Sequence, residues 1–260
     1  MTASVLGTAL AVAGLAGAAA LAAPTPADVA TFAQWAARPA ALPFAWRGVR
    51  AAERHGDPVE AFVRARSLMR LLPQWADGFA AFAYRYALAA DLAEVAPAER
   101  ADRARARLLL AIAWMDAARA DAGRHEPSLL QAMAFLPEVA ARGEPGLAAA
   151  MRAEGGPAAL ADRWLAIAEA RFPSPEAREQ RTFYAVRLAA GLLAAGDRDA
   201  AMAVLQTASD RSRAVRDQQL AAAWRAHVDL AIRALRGEPG VDLGPVLADP
   251  RFADLHPHLR

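Results

Sequence analysis

The stretch Gly56-Asp57-Pro58-Val59-Glu60-Ala61-Phe62-Val63-Arg64-Ala65-Arg66-Ser67-Leu68-Met69-Arg70-Leu71-Leu72-Pro73 decides the fold. Gly56 can end one helix, Asp57 can cap the next, and Pro58 suits the first helical position. Phe62, Ala65, Leu68, Met69 and Leu72 then recur at helical spacing, and Pro73 stops the run. The pattern Gly56, Ala61, Ala65, Leu68, Pro73 returns with identical spacing as Gly156, Ala161, Leu165, Ala168, Pro173. It returns again, without the proline, as Gly196, Ala201, Leu205, Ala208. A turn followed by a helix with small residues at fixed places reads as one half of an antiparallel helix pair built to stack on neighbours.

The rest of the chain agrees with an all-α fold. Hydrophobic residues make up 56% of 260 positions, enough for a large core, and much of that share is alanine, the strongest helix former. Runs of β-branched and aromatic residues are nearly absent, so no sheet is expected. There is no cysteine, which excludes disulfides and thiolate metal sites, and no lysine, as in a GC-rich genome. The formal net charge is only +2. Arginines and acids alternate, as in Arg100, Asp102, Arg103, Arg105, Arg107, which describes a solvated mixed-charge face rather than a nucleic-acid stripe.

Residues 3–23 carry no charge and are long enough to span a bilayer. The chain divides accordingly into a hydrophobic N-terminal helix over 1–23, a first helical lobe over 24–150 and a second over 151–260. Two readings of the first segment stand. As a retained single-pass anchor it would use Gly7, Gly14 and Gly17 for helix contacts in lipid. Arg38, Arg47 and Arg50 after it would weakly place the folded part in the cytoplasm. As a cleaved signal it would use the A-x-A-like site Ala20-Leu21-Ala22 and release a periplasmic or secreted protein. The anchor is the favoured expectation, and a buried Ala-rich helix of the fold is a third option.

Further helices are expected near 27–37, 43–54, 58–72, 74–92, 97–122, 127–141, 158–171, 175–195, 198–212 and 215–236, with short pieces around Val246 and Phe252. Pro39 and Pro43 should punctuate the chain. Gly143, Pro145, Gly146, Gly155, Gly156 and Pro157 make 142–157 the candidate hinge between lobes.

With these residues in place, the chain resembles the tetratricopeptide-repeat (TPR) family. After Pro73, Phe79, Phe82, Ala83 and Tyr86 stand where such a repeat carries its large, small and aromatic residues. Before Gly196, Leu188, Ala189 and Leu192 do so, and Asp249-Pro250-Arg251-Phe252 is similar to the end piece of many arrays. The intervals of 100 and 40 residues between matches depart from the family's 34-residue period, and 97–150 does not fit. The resemblance implies a TPR-like α-solenoid that binds a protein partner. It also implies that the first helix of each pair lines a concave surface, where Tyr84, Arg85 and Arg187 could grip an acidic or carboxylate-ended peptide. Ordinary surface charge is the competing reading of each arginine.

No catalytic or cofactor motif is present. Without lysine no phosphate loop of the Gly-Lys type can form, and no His-Glu-x-x-His or Gly-x-Ser-x-Gly sequence occurs. Asp254, His256 and His258 read as a solvated tail, His55 and His125 as helix-end cations, and His227 as a core-edge histidine. The expectation is therefore a membrane-tethered binding scaffold, possessing neither metal, cofactor nor small-molecule substrate, with a membrane-associated protein as its partner.

Overall fold

The computed structural model describes residues 26–259, with side chains from residue 36 onward. Among these residues every regular element is helical. The α-helices are α1 (Pro26–Arg54), α2 (Pro58–Leu71), α3 (Ala76–Ala87), α4 (Pro97–Ala122), α5 (Glu126–Gly143), the short α6 (Leu147–Ala150), α7 (Gly156–Arg171), α8 (Pro175–Ala194), α9 (Arg198–Arg211), α10 (Gln218–Leu235) and α11 (Gly244–Ala248). Shorter 3-10 segments include Ala90–Glu94 and Pro250–His258. The hydrophobic segment 1–23, with its anchor and signal readings, lies outside the described residues, as do the side chains of Val29, Phe32 and Trp35, which the spacing puts near one face of the helix expected over 27–37. No described helix is long and apolar enough to cross a membrane.

The decisive stretch forms the turn its residues suggest. Gly56 takes φ +72°, and its N–H donates to Glu53 O at 3.1 Å while Asp57 N–H donates to Ala52 O at 3.2 Å. These two bonds close the end of α1. The Asp57 carboxylate then accepts from Glu60 N–H at 2.9 Å and opens α2, with Pro58 in the first turn. The same device joins α8 to α9. Gly196 has φ +86°, its N–H reaches Leu193 O at 3.0 Å, Asp197 N–H reaches Leu192 O at 2.9 Å, and the Asp197 carboxylate accepts from Ala200 N–H at 3.0 Å. Each Gly-Asp pair thus stops one helix and starts the next, and α2 packs back along α1, as α9 does along α8. The prolines also act alike. Leu72 before Pro73 and Phe172 before Pro173 both leave the helical region at φ −131°, with ψ 56° and 66°, because the proline ring crowds the preceding residue.

Several elements differ from the sequence expectation. Pro39 and Pro43 lie inside a single helix α1 rather than between two. They are four residues apart and both exposed, so they share one solvated face of the helix, where a carbonyl left without its N–H partner is least costly. Helix α3 ends at Ala87, not near 92, and the chain continues as a 3-10 segment that carries Asp91 to the Arg107 side chain. Gly156 opens α7 after short pieces instead of joining two adjacent long helices, and α7 packs on α5 and α8.

The buried residues follow the expected stripes: Phe62, Ala65, Leu68 and Met69 on α2; Phe79 and Phe82 on α3; Leu108, Ile112 and Met115 on α4; Trp224, Val228, Ala231 and Ile232 on α10. They form two hydrophobic clusters. The first runs from Val49 to Tyr184, and the second from Ala185 to Leu259 around Leu205, Trp224 and Phe252. The Gly- and Pro-rich stretch 142–157, the expected hinge, contributes Leu147 and Met151 to the first cluster, which continues through it. The change of cluster falls inside α8, so one helix faces both.

Candidate functional site

The ends of the first hairpin and of α3 leave an open cleft of about 270 Å³. Its walls come from Glu53 at the end of α1, Asp57 and Phe62 of the turn and α2, Phe82, Arg85 and Tyr86 of α3, and Asp91 of the following 3-10 segment. Helical spacing puts these α3 residues at one mouth: Phe82, Arg85 and Tyr86 are three and four residues apart and share a face. The lining is mainly apolar. Tyr86 stacks on Phe62 with ring centroids 4.1 Å apart and planes 9° from parallel. Phe62 meets Trp114 of α4 edge-on at 4.9 Å, which fixes the aromatic floor.

The rim charges are matched within the chain. Arg85 Nη1 donates to Glu53 Oε1 at 2.6 Å, and its guanidinium lies 5.9 Å from the Phe82 ring centre. Arg107, almost fully buried on α4, donates both arms of its fork to Asp91 at 2.6 Å and sits 5.4 Å from the Tyr86 ring centre. This bidentate bond holds the Asp91 carboxyl below the usual carboxylate range. Asp57 is the remaining carboxylate at the mouth, accepting one backbone N–H as a cap. With Glu53 and Asp91 neutralised, the cleft presents an apolar, π-rich hollow beside one anionic edge. It suits an inserted apolar side chain with a basic neighbour better than an acidic peptide.

The three residues singled out by sequence do not share this cleft. Arg85 lines it. Tyr84 points the other way, and its hydroxyl donates to Ala132 O on α5 at 3.0 Å; burial pushes its pKa up to about 12. Arg187 on α8 donates from Nε to Asp254 at 3.1 Å and lies 3.7 Å from Glu138 of α5. Tyr84 and Arg187 thus reach the same helix at Ala132 and Glu138, six residues or roughly 9 Å apart along its axis. Each of the three is engaged by a partner within the chain.

Sequence reasoning placed Arg107 on a solvated mixed-charge face, whereas it is 5% exposed, although a signal of its burial existed. It falls on the inward stripe of α4 beside Ala104, Leu108 and Ala111, where an arginine requires a partner. Sequence reasoning passed over Glu126, a nearly buried carboxylate that accepts from Arg119 at 2.9 and 3.0 Å and from Arg171 at 2.8 Å. Burial alone would raise the pKa of Glu126, but the two guanidiniums hold it below the usual range. His227 donates or accepts at Nδ1 with Asp249 at 2.9 Å. Among the described residues no group of three or more His, Asp or Glu is arranged to hold a metal.

Comparison of the chain with protein-family models, curated proteins and solved structures finds no match.

Proposed function

We propose that this chain is a TPR-like helical-repeat scaffold, tethered to a membrane through residues 3–23, that binds a protein partner. The partner seats an apolar side chain in the cleft between Phe62, Phe82 and Tyr86, with a basic neighbour against Asp57. The single observation that carries this reading is the cleft itself: a preformed apolar hollow of about 270 Å³ whose rim charges, apart from Asp57, are already satisfied. At protein interfaces a few buried anchor side chains that fill such pockets carry most of the binding energy. The repeated Gly-Asp hairpins support the solenoid arrangement, because stacked helix pairs leave such clefts between turns. A tether raises the effective concentration of the scaffold near a membrane partner.

The test uses the full chain, extracted in mild detergent from its native membranes, with a photo-crosslinking residue in place of Ala90 at the cleft mouth. One discrete adduct is expected, and Ala89→Trp, which fills the hollow, should abolish it. Adducts that persist unchanged in Ala89→Trp would overturn the cleft as the binding site. Intact mass of the same sample separates the two N-terminal readings. A chain beginning at Met1 supports the anchor. A chain beginning near Ala23 supports the second reading, an extracytoplasmic binding protein, which rests on Ala20-Leu21-Ala22.

A further inference from the structure

A second, larger groove of about 500 Å³ opens between α1, α2 and α4. It shares no lining residue with the apolar cleft, and its chemistry is independent of the protein-partner reading. Its floor is Met69, Phe79 and Trp114, and its rim carries Arg38 of α1 and Arg66 and Arg70 of α2. Arg66 and Arg70 are one helical turn apart, so their side chains project from the same face. The arginines differ from those of the first cleft. Among the described residues none of the three makes an ion pair or a side-chain hydrogen bond, whereas Arg85 and Arg107 each hold a carboxylate. The Arg38 Nε is buried without any partner among those residues. A buried donor left unpaired is costly and points to an absent acceptor. Asp121 of α4 is the one acid on the rim, and it too has no ion-pair partner among the described residues, which leaves the groove two positive charges in excess.

We propose that this groove binds a dianionic phosphate monoester. The phosphate lies among Arg38, Arg66 and Arg70, and the group it esterifies lies against Trp114 and Phe79. Guanidinium forks match phosphate oxygens in pairs, and a dianion balances the excess charge. The aromatic floor favours an ester with an apolar body over inorganic phosphate. A soluble phosphomonoester and the headgroup of a phosphatidic-acid-type lipid offer the same chemistry, and Arg38 sits on the helix that leads back to the apolar segment 3–23.

The experiment is calorimetric titration of the full chain in a non-ionic detergent with phenyl phosphate and with dihexanoyl phosphatidic acid, using dihexanoyl phosphatidylcholine as the uncharged control. Saturable binding of phenyl phosphate supports the site with a soluble ligand. Binding of the phosphatidic acid without phenyl phosphate or the phosphatidylcholine supports it with a lipid ligand. In either case Arg70→Gln should weaken binding about tenfold, the loss of one charge-assisted contact, and Asp121→Asn should tighten it. Arg66 and Arg70 are exposed, and a matching circular dichroism spectrum checks that the variants fold. Arg198→Gln, an exposed arginine on α9, should leave binding unchanged. Absence of saturable binding by both phosphate probes overturns the proposal, as does an equal loss in Arg198→Gln.

Discussion

Three glycines illustrate how much hangs on single backbone angles. Gly196 holds φ +86° with open space around it, so a Cβ there meets no atom but forces a left-handed conformation on an L-residue. Gly191, five residues earlier, lies in the helical body of α8, and a Cβ would make ordinary contact with Ala158 at 3.6 Å. Gly196→Ala is therefore expected to lower stability by about 1–2 kcal/mol, and Gly191→Ala to raise it by up to about 1 kcal/mol. Urea denaturation of both variants gives the two signs directly, and a loss in Gly191→Ala would contradict the contact with Ala158 as ordinary packing. Gly78 is a third case, fixed by space rather than angle: a Cβ would stand 2.3 Å from the Trp75 ring, so that ring must move in any substitution.

At the scale of elements, two carboxylates tie helices that are distant in sequence. Glu126 at the start of α5 joins α4 through Arg119 and α7 through Arg171. Glu126→Gln keeps the shape and removes the charge. Because Arg171 is half-exposed and Arg119 retains Asp116, the expected cost is about 1–2 kcal/mol, below that of breaking a fully buried pair. Differential scanning calorimetry should register a drop of roughly 2–4 °C for each kcal/mol lost. Asp249 ties the C-terminal 3-10 segment to α10. It accepts from the Arg251 side chain and backbone and meets His227, and those bonds, Arg251 first, hold its carboxyl far below the usual range. A depressed folded-state pKa means the stabilisation is complete above the unfolded carboxylate value, near 4, and is lost as pH falls through the folded value. Wild-type stability should thus drop on acidification below about pH 4. Asp249→Asn should be less stable at pH 7 and should show a smaller part of that acid-induced loss. Identical acid profiles for the two proteins would dismiss the Asp249 contact as a source of stability.

Over the whole molecule, α8 is the shared element. Tyr184 belongs to the cluster that begins at Val49, Ala185 to the one that ends at Leu259, and the Tyr184 hydroxyl donates to Glu138 of α5 at 2.6 Å. One helix cannot melt for one cluster and stay folded for the other, since helix formation is cooperative along its length. Urea unfolding should therefore show coincident transitions by far-UV ellipticity and by tryptophan fluorescence, with Trp164 reporting on the first cluster and Trp224 on the second. Two resolved transitions would show the clusters to be independent folding units. The cleft and the arginine groove are linked in turn through Trp114, whose ring centre lies 4.9 Å from that of Phe62 in the first and 4.8 Å from that of Phe79 in the second.

Local chemistry was legible in the residues alone. The helical class, the Gly-Asp turns, the proline stops and the inward stripes all depend on interactions within about five residues, which composition and spacing encode. The mixed-charge face was legible at Asp102 and Arg103, which are exposed, but not at Arg107, which is buried. The candidate site was legible only in part. Arg85 could be placed on α3 beside Tyr86, but its pairing with Glu53 crosses 32 positions, and Tyr84 bonding to Ala132 crosses 48. Partners that far apart are chosen by how helices pack, and no periodicity records that choice. The length of α1 through Pro39 and Pro43 had the same origin: both prolines fall on an exposed face of the helix, whereas Pro137 is buried inside α5, and spacing alone does not separate a proline that ends a helix from one that packing keeps within it. Whether an arginine ends as a paired strut, like Arg107, or as a rim charge without an ion pair among the described residues, like Arg66 and Arg70, was likewise set by which helix arrived opposite it.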